Sequence, residues 1–277
     1  VEQLNYRPNA MARSLANQST DCIGVILSAR ETGRITSLLP LLERELSQVN
    51  RHLLIRFAEG QAQQQAAADE LLGGRCDAIV VIGASAPLER DERLIQLDGV
   101  AEASDINLSY DFVFACESAC RFLLGKSHRQ IALLVDSLST PSGLQMVQGY
   151  QQALQHQSLP YNRQLVIEAG DNQQALLGLL NRYLPFTALV VQHDAQAAEA
   201  MRLLREFNLQ VPQDVSIVSL EGSTLASQLN PALTCIEYPS ERLAQEAVRL
   251  TLQVLGGHAL PSAEQQKFTG RLVTRDS

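Results

Sequence analysis

Short apolar runs alternate with stretches of helical periodicity through the first half of the chain. Such continuous runs are typical of strands buried on both faces of a parallel sheet. Leucines at helical spacing or Ala- and Gln-rich segments separate the runs. The predicted strands lie at residues 21–27, 52–57 and 77–83, and the predicted helices at residues 38–49, 63–72 and 115–124.

The second half repeats the pattern. Its predicted strands lie at residues 130–135, 164–167, 187–191 and 215–220, and its predicted helices at residues 144–155, 173–183 and 195–207. Strands that alternate with helices form βαβ units and parallel sheets. We therefore predict an α/β fold of two doubly wound parallel-sheet lobes. Ligands of such sheets bind outside the carboxyl ends of the strands, so a ligand cleft between the lobes is expected.

Composition narrows the class of protein. The 277 residues are 45% hydrophobic and 19% charged, which is typical of a globular protein with a substantial core. No apolar run approaches the roughly 18 residues that span a bilayer, and the start resembles no signal peptide. We expect a cytoplasmic protein without a membrane partner. The net charge of −8 argues against nucleic-acid binding by the bulk of the chain.

The cysteines suggest neither a disulfide framework nor a metal site. They number five, an odd count, and stand at Cys22, Cys76, Cys116, Cys120 and Cys235. Cys116 and Cys120 have helical spacing, but no second pair or nearby histidine completes a metal set. We interpret the cysteines as core-filling thiols in a reducing compartment, and we expect neither metal nor cofactor.

The opening segment differs from the rest of the chain. Asn9 can cap a short helix, and such a helix is marginal in water without a partner. Four polar side chains of the segment are suited to phosphate and sugar contacts: Tyr6, Arg7, Asn9 and Arg13. The apolar Leu15 is suited to wedge into a base step of the DNA minor groove. Physical reasoning alone favours the plainer alternative, a tail that packs on its own domain.

A resemblance to a known family reverses that preference. The matching segments are Tyr-Arg-Pro-Asn at 6–9, Ala-Arg-Ser-Leu at 12–15, Ile-Gly-Val-Ile at 23–26, Arg-Cys-Asp-Ala-Ile at 75–79, His-Arg-Gln-Ile-Ala at 128–132, Gly-Tyr at 149–150, Val-Pro-Gln-Asp-Val-Ser at 211–216, Pro-Ala-Leu-Thr at 231–234 and the closing Leu-Val-Thr-Arg-Asp-Ser at 272–277. In this order they resemble the linker, hinge helix and core of the LacI/GalR family of bacterial transcription regulators.

The resemblance implies a fold like that of periplasmic sugar-binding proteins, with the chain crossing between lobes three times. It implies a linker and hinge helix at residues 1–18, one lobe at 19–131 plus 240–263, and the other at 132–239 plus 264–277. It also implies a homodimer that binds operator DNA through paired hinge helices, with Leu15 as the wedge, and through a helix-turn-helix head upstream of Leu4. A missing basic head would account for the acidic charge.

Departures from the family fall where a small-molecule effector is expected. Sugar-responsive members carry a ligand-binding arginine where this chain has Met146, which offers no hydrogen-bond donor. The family's Asn-Asp pair is His193-Asp194, and Glu221 stands where a ligand-binding aspartate is usual. We predict that these four residues contact the effector.

The effector-contacting set also includes two arginines after the first predicted strand, Arg30 and Arg34. Residues 31–35 replace the family's Asn-Pro-Phe-Phe. The two arginines are suited to pair with phosphate, although loop arginines are usually just solvated. Two interpretations stay open: neutral drift in a pocket that still binds a sugar, or a different effector that carries phosphate or an amine.

The family's extended strand before the aspartate matched by Asp111 has no evident counterpart. The stretch from Gly99 to Asp105 is too short and too polar for it, and we place a helix near Leu94. Either the lobe has lost a strand or the numbered sequence omits residues there. We favour omission, because the loss of a central parallel strand would leave backbone groups unpaired.

The sequence therefore predicts a ligand-responsive DNA-binding regulator, a repressor of a sugar or related catabolic operon. The alternative is a periplasmic-type solute-binding protein of the same fold, which has no use for a hinge motif. An enzyme is not expected, because the chain has no Gly-rich phosphate loop, no nucleophile elbow and no His-Glu-x-x-His. Effector identity, operator sequence, the sign of the response and any oligomer larger than a dimer stay open.

Overall fold

The computed structural model describes residues 19–28, 32–84, 86–100, 106–169, 172–181, 185–257 and 265–277. Several residues predicted to be functional lie outside the described part: Tyr6, Arg7, Asn9, Arg13, Leu15 and Arg30. Arg34 falls in a described helix, but its side chain lies outside the described part. Among the described residues, no helix is long and apolar enough to cross a membrane.

In chain order the strands are β1 (Cys22–Leu27), β2 (His52–Phe57), β3 (Ala78–Ile82), β4 (Leu94–Leu97), β5 (Asn107–Tyr110), β6 (Ile131–Val135), β7 (Val166–Glu168), β8 (Ala188–Val191), β9 (Ser216–Ser219), β10 (Thr234–Glu237), β11 (Gln265–Phe268) and β12 (Arg271–Val273). The helices are α1 (Thr32–Ser37), α2 (Leu39–Gln48), α3 (Gly60–Leu72), α4 (Phe112–Gly125), α5 (Pro141–His156), α6 (Asn172–Asn181), α7 (Asp194–Glu206), α8 (Thr224–Gln228) and α9 (Ser240–Leu255).

These strands form two six-stranded sheets. The first has the order β11-β5-β4-β3-β1-β2 and the second β12-β10-β9-β8-β6-β7. The pairings of β1 through β4 with their neighbours are parallel, as are those among β6 through β10, whereas β12 runs antiparallel to β10. The predicted α/β class with two mostly parallel sheets is confirmed.

The strand order explains the continuous apolar runs. The central strands β3 and β6 are buried at every position, whereas the edge strand β2 is exposed at four of its six. The β1–β2 connection carries α2 and the β2–β3 connection carries α3, and the two cross the sheet in opposite directions. Because such crossovers are right-handed, the two helices cover opposite faces of the sheet.

Before Asp111 the sequence interpretation left two alternatives, a lost strand or omitted residues, and favoured omission; the structure supports neither, and the predicted helix near Leu94 is wrong. Residues 94–97 form β4, which pairs in parallel with β3 from Leu94 opposite Ile79, and β5 then pairs with β4. The numbering is continuous through this region, so no residues are omitted. The described residues between β3 and β4 contain no helix. A four-residue apolar run fits either a strand or a helix, and here pairing with β3 decides.

Helices α4 and α5 pack closely against each other, and a glycine makes this possible. A Cβ atom on Gly149 would lie 2.3 Å from the carbonyl oxygen of Val113 and 3.0 Å from the backbone nitrogen of Glu117. Any larger residue would push the helices apart. The buried Tyr150 beside it donates a 2.8 Å hydrogen bond to the carbonyl oxygen of Ile131, which fastens α5 to β6.

The described residues divide into two compact units. One comprises those of Val1–Ser109 and Ser240–Gln266, and the other those of Tyr110–Pro239 and Lys267–Ser277. The predicted lobes differ from this division mainly at α4, which the sequence interpretation assigned to the first lobe. The close packing of α4 on α5 at Gly149 places α4 in the second unit.

Candidate functional site

Polar side chains gather at the carboxyl ends of three neighbouring strands of the second sheet. Asp136 follows β6 directly, His193 comes two residues after β8, and Glu221 comes two residues after β9. These strands are adjacent in the order β9-β8-β6. Parallel strands bring their carboxyl ends to one edge of the sheet, and ligands bind there in open α/β folds. Together with Asp194 and Gln196, we call these residues the strand-end cluster.

His193 lies between two carboxylates. Its Nε2 is 2.8 Å from Oδ2 of Asp136, and its Nδ1 is 3.4 Å from Oε1 of Glu221. Burial alone lowers the pKa of His193, but the hydrogen bonds and charges of Asp136 and Glu221 outweigh burial and raise the pKa to about 10. The raised pKa favours the imidazolium form at neutral pH, in which Nε2 donates to Asp136 and Nδ1 faces Glu221.

Gln196 fixes the positions of Asp136 and of the turn before α7. Its Oε1 accepts hydrogen bonds of 3.0 Å from the backbone nitrogens of Gln192 and His193. Its Nε2 donates to Oδ1 of Asp136 at 2.6 Å. Both ends of the amide are thus used, and the side chain ties the start of α7 to the residue that follows β6.

Glu221 meets the first residue of α7. Its Oε2 accepts a 2.8 Å hydrogen bond from the backbone nitrogen of Asp194. A carboxylate at a helix N-terminus satisfies a free N–H group and is favoured by the helix dipole. Glu221 thereby presents one oxygen to the helix and the other to His193.

Asp194 is completely buried, and its carboxylate is fully engaged. Oδ1 accepts from the Ser219 hydroxyl at 2.5 Å and from the Gly222 nitrogen at 3.3 Å. Oδ2 accepts from the nitrogen and the hydroxyl of Ser223 at 2.6 and 2.7 Å. Four donors fill the roughly four lone-pair positions of a carboxylate. Asp194 therefore organises the turn after β9 and has no acceptor capacity left for a ligand.

The pKa of Asp194 is raised. Burial is the main cause and the negative charge of Glu221 adds to it, whereas the hydrogen bonds from Ser219 and Ser223 act in the opposite direction. The folded protein thus disfavours the charged form of this carboxyl group, although four donors surround it.

A second aspartate, Asp77, holds the first described residues of the chain. It accepts hydrogen bonds from the Ser19 hydroxyl at 2.6 Å and from the nitrogen and hydroxyl of Thr20 at 2.7 Å each. The Asp21 nitrogen also donates to it at 3.1 Å, and Arg51 pairs with it at 2.6 Å. We call these five residues the Asp77 cluster. It fastens the start of β1 to the start of β3.

Comparison with known proteins agrees with this architecture. The family described as periplasmic binding protein-like domain matches residues 120–277, more than half of the chain. The chain belongs to this family. The regulator AscG of Escherichia coli is 27% identical over 100% of this chain and 87% of that protein, and GalR of the same organism is 27% identical over 100% of this chain and 84% of that protein. These matches confirm the resemblance to LacI/GalR regulators.

A solved structure supports the fold. The Lac repressor bound to ONPG superposes with a TM-score of 0.85 at 24% identity, over 99% of this chain and 87% of that one. The matched region of the periplasmic binding protein-like family includes the whole strand-end cluster. The relatives AscG and GalR are transcriptional regulators.

The structure brings together three of the residues predicted from the family resemblance, His193, Asp194 and Glu221. Of these, His193 and Glu221 keep exposed surface, whereas Asp194 is buried. Met146 lies on α5 and has no exposed surface, so in this structure it fills the core. Arg30 and the Arg34 side chain lie outside the described residues.

Sequence reasoning missed Asp136 and Gln196. A usable signal existed for Asp136, because it is the first residue after the predicted strand at 130–135, where a parallel strand ends. Gln196 gave no comparable signal, since its importance depends on a bond to a residue 60 positions away.

The strand-end cluster presents partly exposed carboxylates that can bind polar groups. In the part of the chain that the structure describes, no group of three His, Cys, Asp or Glu side chains is arranged to hold a metal ion. The exposed carboxylates accept hydrogen bonds from hydroxyl or ammonium groups. A separate cavity of about 310 Å³ contains no member of the cluster, and it is lined by Met201, Arg205, Leu209, Gln210, Val211, Gln213 and Pro231.

Proposed function

We propose that this chain is the effector-binding and dimerisation core of a transcriptional repressor that controls a sugar or related catabolic operon. The observation that carries the proposal is the strand-end cluster, which stands at the carboxyl ends of β6, β8 and β9 in a chain whose relatives are transcriptional regulators. The protein acts by binding and not by catalysis, works in the cytoplasm and needs no cofactor.

The effector contacts in this proposal are Asp136, His193 and Glu221. The two carboxylates accept hydrogen bonds from ligand hydroxyls, which suits a sugar or a sugar-like molecule. The imidazolium between them limits the net negative charge of the site. Asp194 and Gln196 hold the contacts in place from behind.

Regulation follows from a difference in affinity. An effector that binds one arrangement of the protein better than another shifts the population toward that arrangement. We propose that the shift changes how the paired hinge segments of a homodimer bind operator DNA, through Tyr6, Arg7, Asn9, Arg13 and Leu15.

The test is a thermal-shift screen of the chain against sugars, sugar phosphates, nucleosides and amines, followed by calorimetry on any hit. A ligand of the folded state adds about 2.7 kcal/mol of stability at a hundred times its Kd. We expect a hit among the sugars. Asp136→Asn and Glu221→Gln should each weaken binding by about tenfold, the loss of one hydrogen bond to a charged group.

The matched control is Glu199→Gln, which alters a surface carboxylate of α7 that pairs with Arg202. It should leave affinity unchanged. Unchanged affinity in Asp136→Asn, Glu221→Gln and His193→Ala alike would rule out the site. Hits confined to phosphorylated or amine ligands would replace the sugar class. A ligand that binds tightly but never alters operator binding would support the solute-binding alternative.

A further inference from the structure

Two cysteines of the first unit lie at the same end of neighbouring strands. Cys22 is the first residue of β1, and Cys76 stands two residues before β3. The strands are parallel neighbours, and the Asp77 nitrogen donates a 2.8 Å hydrogen bond to the Cys22 carbonyl oxygen. The two cysteines are therefore neighbours across the sheet although 54 positions separate them, from 22 to 76.

Their side chains also lie on the same face of β1. Cys22 and Gly24 share a face, because side chains alternate along a strand. The Cys76 sulfur lies against that face, since it would be 3.3 Å from a Cβ atom on Gly24. Cys22 packs against the same apolar cluster that contains Cys76.

The two thiols differ in access and in acidity. Cys22 is partly exposed and Cys76 is buried. The hydrogen bond from Cys76 lowers the pKa of Cys22, against the opposing effects of burial and of Asp77. The same hydrogen bond, together with burial, raises the pKa of Cys76. A reachable thiol of lowered pKa beside a buried partner is the arrangement of an attacking and a resolving cysteine.

We propose that Cys22 and Cys76 form a peroxide-sensitive thiol pair that closes to a disulfide. The Cys22 thiolate attacks hydrogen peroxide, the O–O bond breaks, and the products are a Cys22 sulfenic acid and hydroxide. The Cys76 thiol then displaces the sulfenic oxygen, which leaves as water with the thiol proton. Two thiols are oxidised, one peroxide is reduced to two waters, and the S–S bond forms.

The disulfide would act on the Asp77 cluster, because Cys22 follows Asp21 and Cys76 precedes Asp77. It would add a covalent tie where Asp77 already holds Ser19 and Thr20 by hydrogen bonds. Under oxidising conditions the disulfide would fix the segment that leads from the proposed hinge into β1. Under reducing conditions only the hydrogen bonds of Asp77 would hold that segment. Intracellular disulfides of this kind are usually transient and serve in redox sensing.

The remaining cysteines supply internal controls. Cys116, Cys120 and Cys235 have no exposed surface. Burial raises the pKa of Cys116 and of Cys235. Cys116 and Cys120 are one helical turn apart, so they are a second neighbouring pair that peroxide should not reach.

The experiment treats the whole chain with hydrogen peroxide, blocks free thiols by alkylation, and maps peptides by mass spectrometry. We expect a Cys22–Cys76 cross-linked peptide that has lost two hydrogen atoms and is restored by dithiothreitol. Of the five free thiols, three should remain open to alkylation after unfolding. Cys22→Ser should abolish the cross-link, and Cys116→Ser should form it at the rate of the unaltered chain.

A second measurement avoids dependence on the variants. Iodoacetamide on the folded, reduced protein should alkylate Cys22 at least about tenfold faster than Cys116 or Cys235, as exposure and acidity require. Peroxide that drives Cys22 to sulfinic acid while Cys76 stays a free thiol would overturn the proposal. So would equal alkylation rates at Cys22 and Cys116.

Discussion

Two aspartates of this protein, Asp77 and Asp194, collect hydrogen-bond donors in nearly the same way but carry opposite electrostatics. Asp77 stands just before β3 in the first unit, and Asp194 opens α7 in the second. Arg51 pairs with Asp77 at 2.6 Å. Among the described residues no arginine or lysine forms an ion pair with Asp194. The neighbouring charge that acts on its pKa is the negative carboxylate of Glu221.

The difference appears in the two pKa values. Burial raises the pKa of Asp77, but the hydrogen bonds from Ser19 and Thr20 and the charge of Arg51 outweigh burial and lower it. At Asp194 burial prevails and the pKa is raised. Similar donors thus outweigh burial at the partly buried Asp77, which also has a cation beside it, and do not outweigh it at the fully buried Asp194. Asp77 is a charged anchor, and Asp194 is an organiser of backbone and hydroxyl donors.

The largest expected effect comes from truncating each aspartate. Asp194→Ala leaves several buried donors unpaired, at about 1–3 kcal/mol each, so we expect the free energy of unfolding to fall by about 4 kcal/mol. Asp77→Ala should cost about 2 kcal/mol, because Arg51 and the freed hydroxyls keep some access to water. Urea unfolding of both variants gives the comparison.

Asp69→Ala is the control for this pair, because Asp69 is exposed on α3 and its side chain accepts a hydrogen bond from the Gln65 amide. Its cost should stay within about 0.5 kcal/mol. Equal losses for Asp77→Ala and Asp194→Ala would mean that burial of the carboxylate does not decide its contribution.

The next largest effect concerns His193, which directly precedes Asp194 in the chain. Its folded pKa of about 10 lies above the unfolded value of 6.5, so the stability that it contributes is complete below pH 6.5 and is lost as the pH rises through 10. We expect a loss of about 2 kcal/mol over that interval, as for a charge-assisted hydrogen bond.

His193→Gln should remove most of this alkaline dependence, and denaturant unfolding at pH values from about 6 to about 10.5 would measure it. His156→Gln is the control, because His156 is an exposed histidine that meets Glu117 on the helix surface. An unaltered alkaline slope in His193→Gln would mean that the imidazole is neutral in the folded protein.

The smallest expected effect is on the pH dependence of stability in acid, where Asp77 and Asp194 should contribute with opposite signs. The lowered pKa of Asp77 gives stability that is present above the unfolded value of about 3.9 and lost as the pH falls through the folded value. The raised pKa of Asp194 does the reverse, since protonation favours the folded state as the pH falls through its folded value. Each contribution should be smaller than that of His193.

Asp77→Asn and Asp194→Asn test these signs by urea unfolding between about pH 3 and pH 6. Loss of the Asp77 carboxylate should make the acid decline in stability shallower, and loss of the Asp194 carboxylate should make it steeper. Slopes that change in the same direction would contradict the opposite electrostatics.

Several interior strands of the two sheets were predictable from local pattern. The predicted runs at 21–27 and 130–135 differ from β1 and β6 by one residue at most, because strands buried on both faces admit only apolar residues. The run at 94–97 was misread because four residues carry no clear period. Its pairing with β3 is a contact that the local pattern does not contain.

The candidate site also combines residues that the sequence revealed with features that only the tertiary structure revealed. His193 and Glu221 were found by resemblance, and a local rule about strand ends would have added Asp136. That Met146 fills the core and that Asp194 is saturated by four donors became visible only when distant segments were assembled. Pocket residues are chosen by their neighbours in space, and neighbours in sequence do not reveal them.

The sequence by itself determined the α/β class, the family and the segments from which the site is built, because periodicity and motif order are local properties of the chain. Tertiary structure alone decided which charges meet. It set His193 between Asp136 and Glu221, which are 57 and 28 positions away, and it gave Asp77 a cation that Asp194 lacks among the described residues. The physical reason is that a parallel sheet joins the ends of strands that long crossovers separate in sequence.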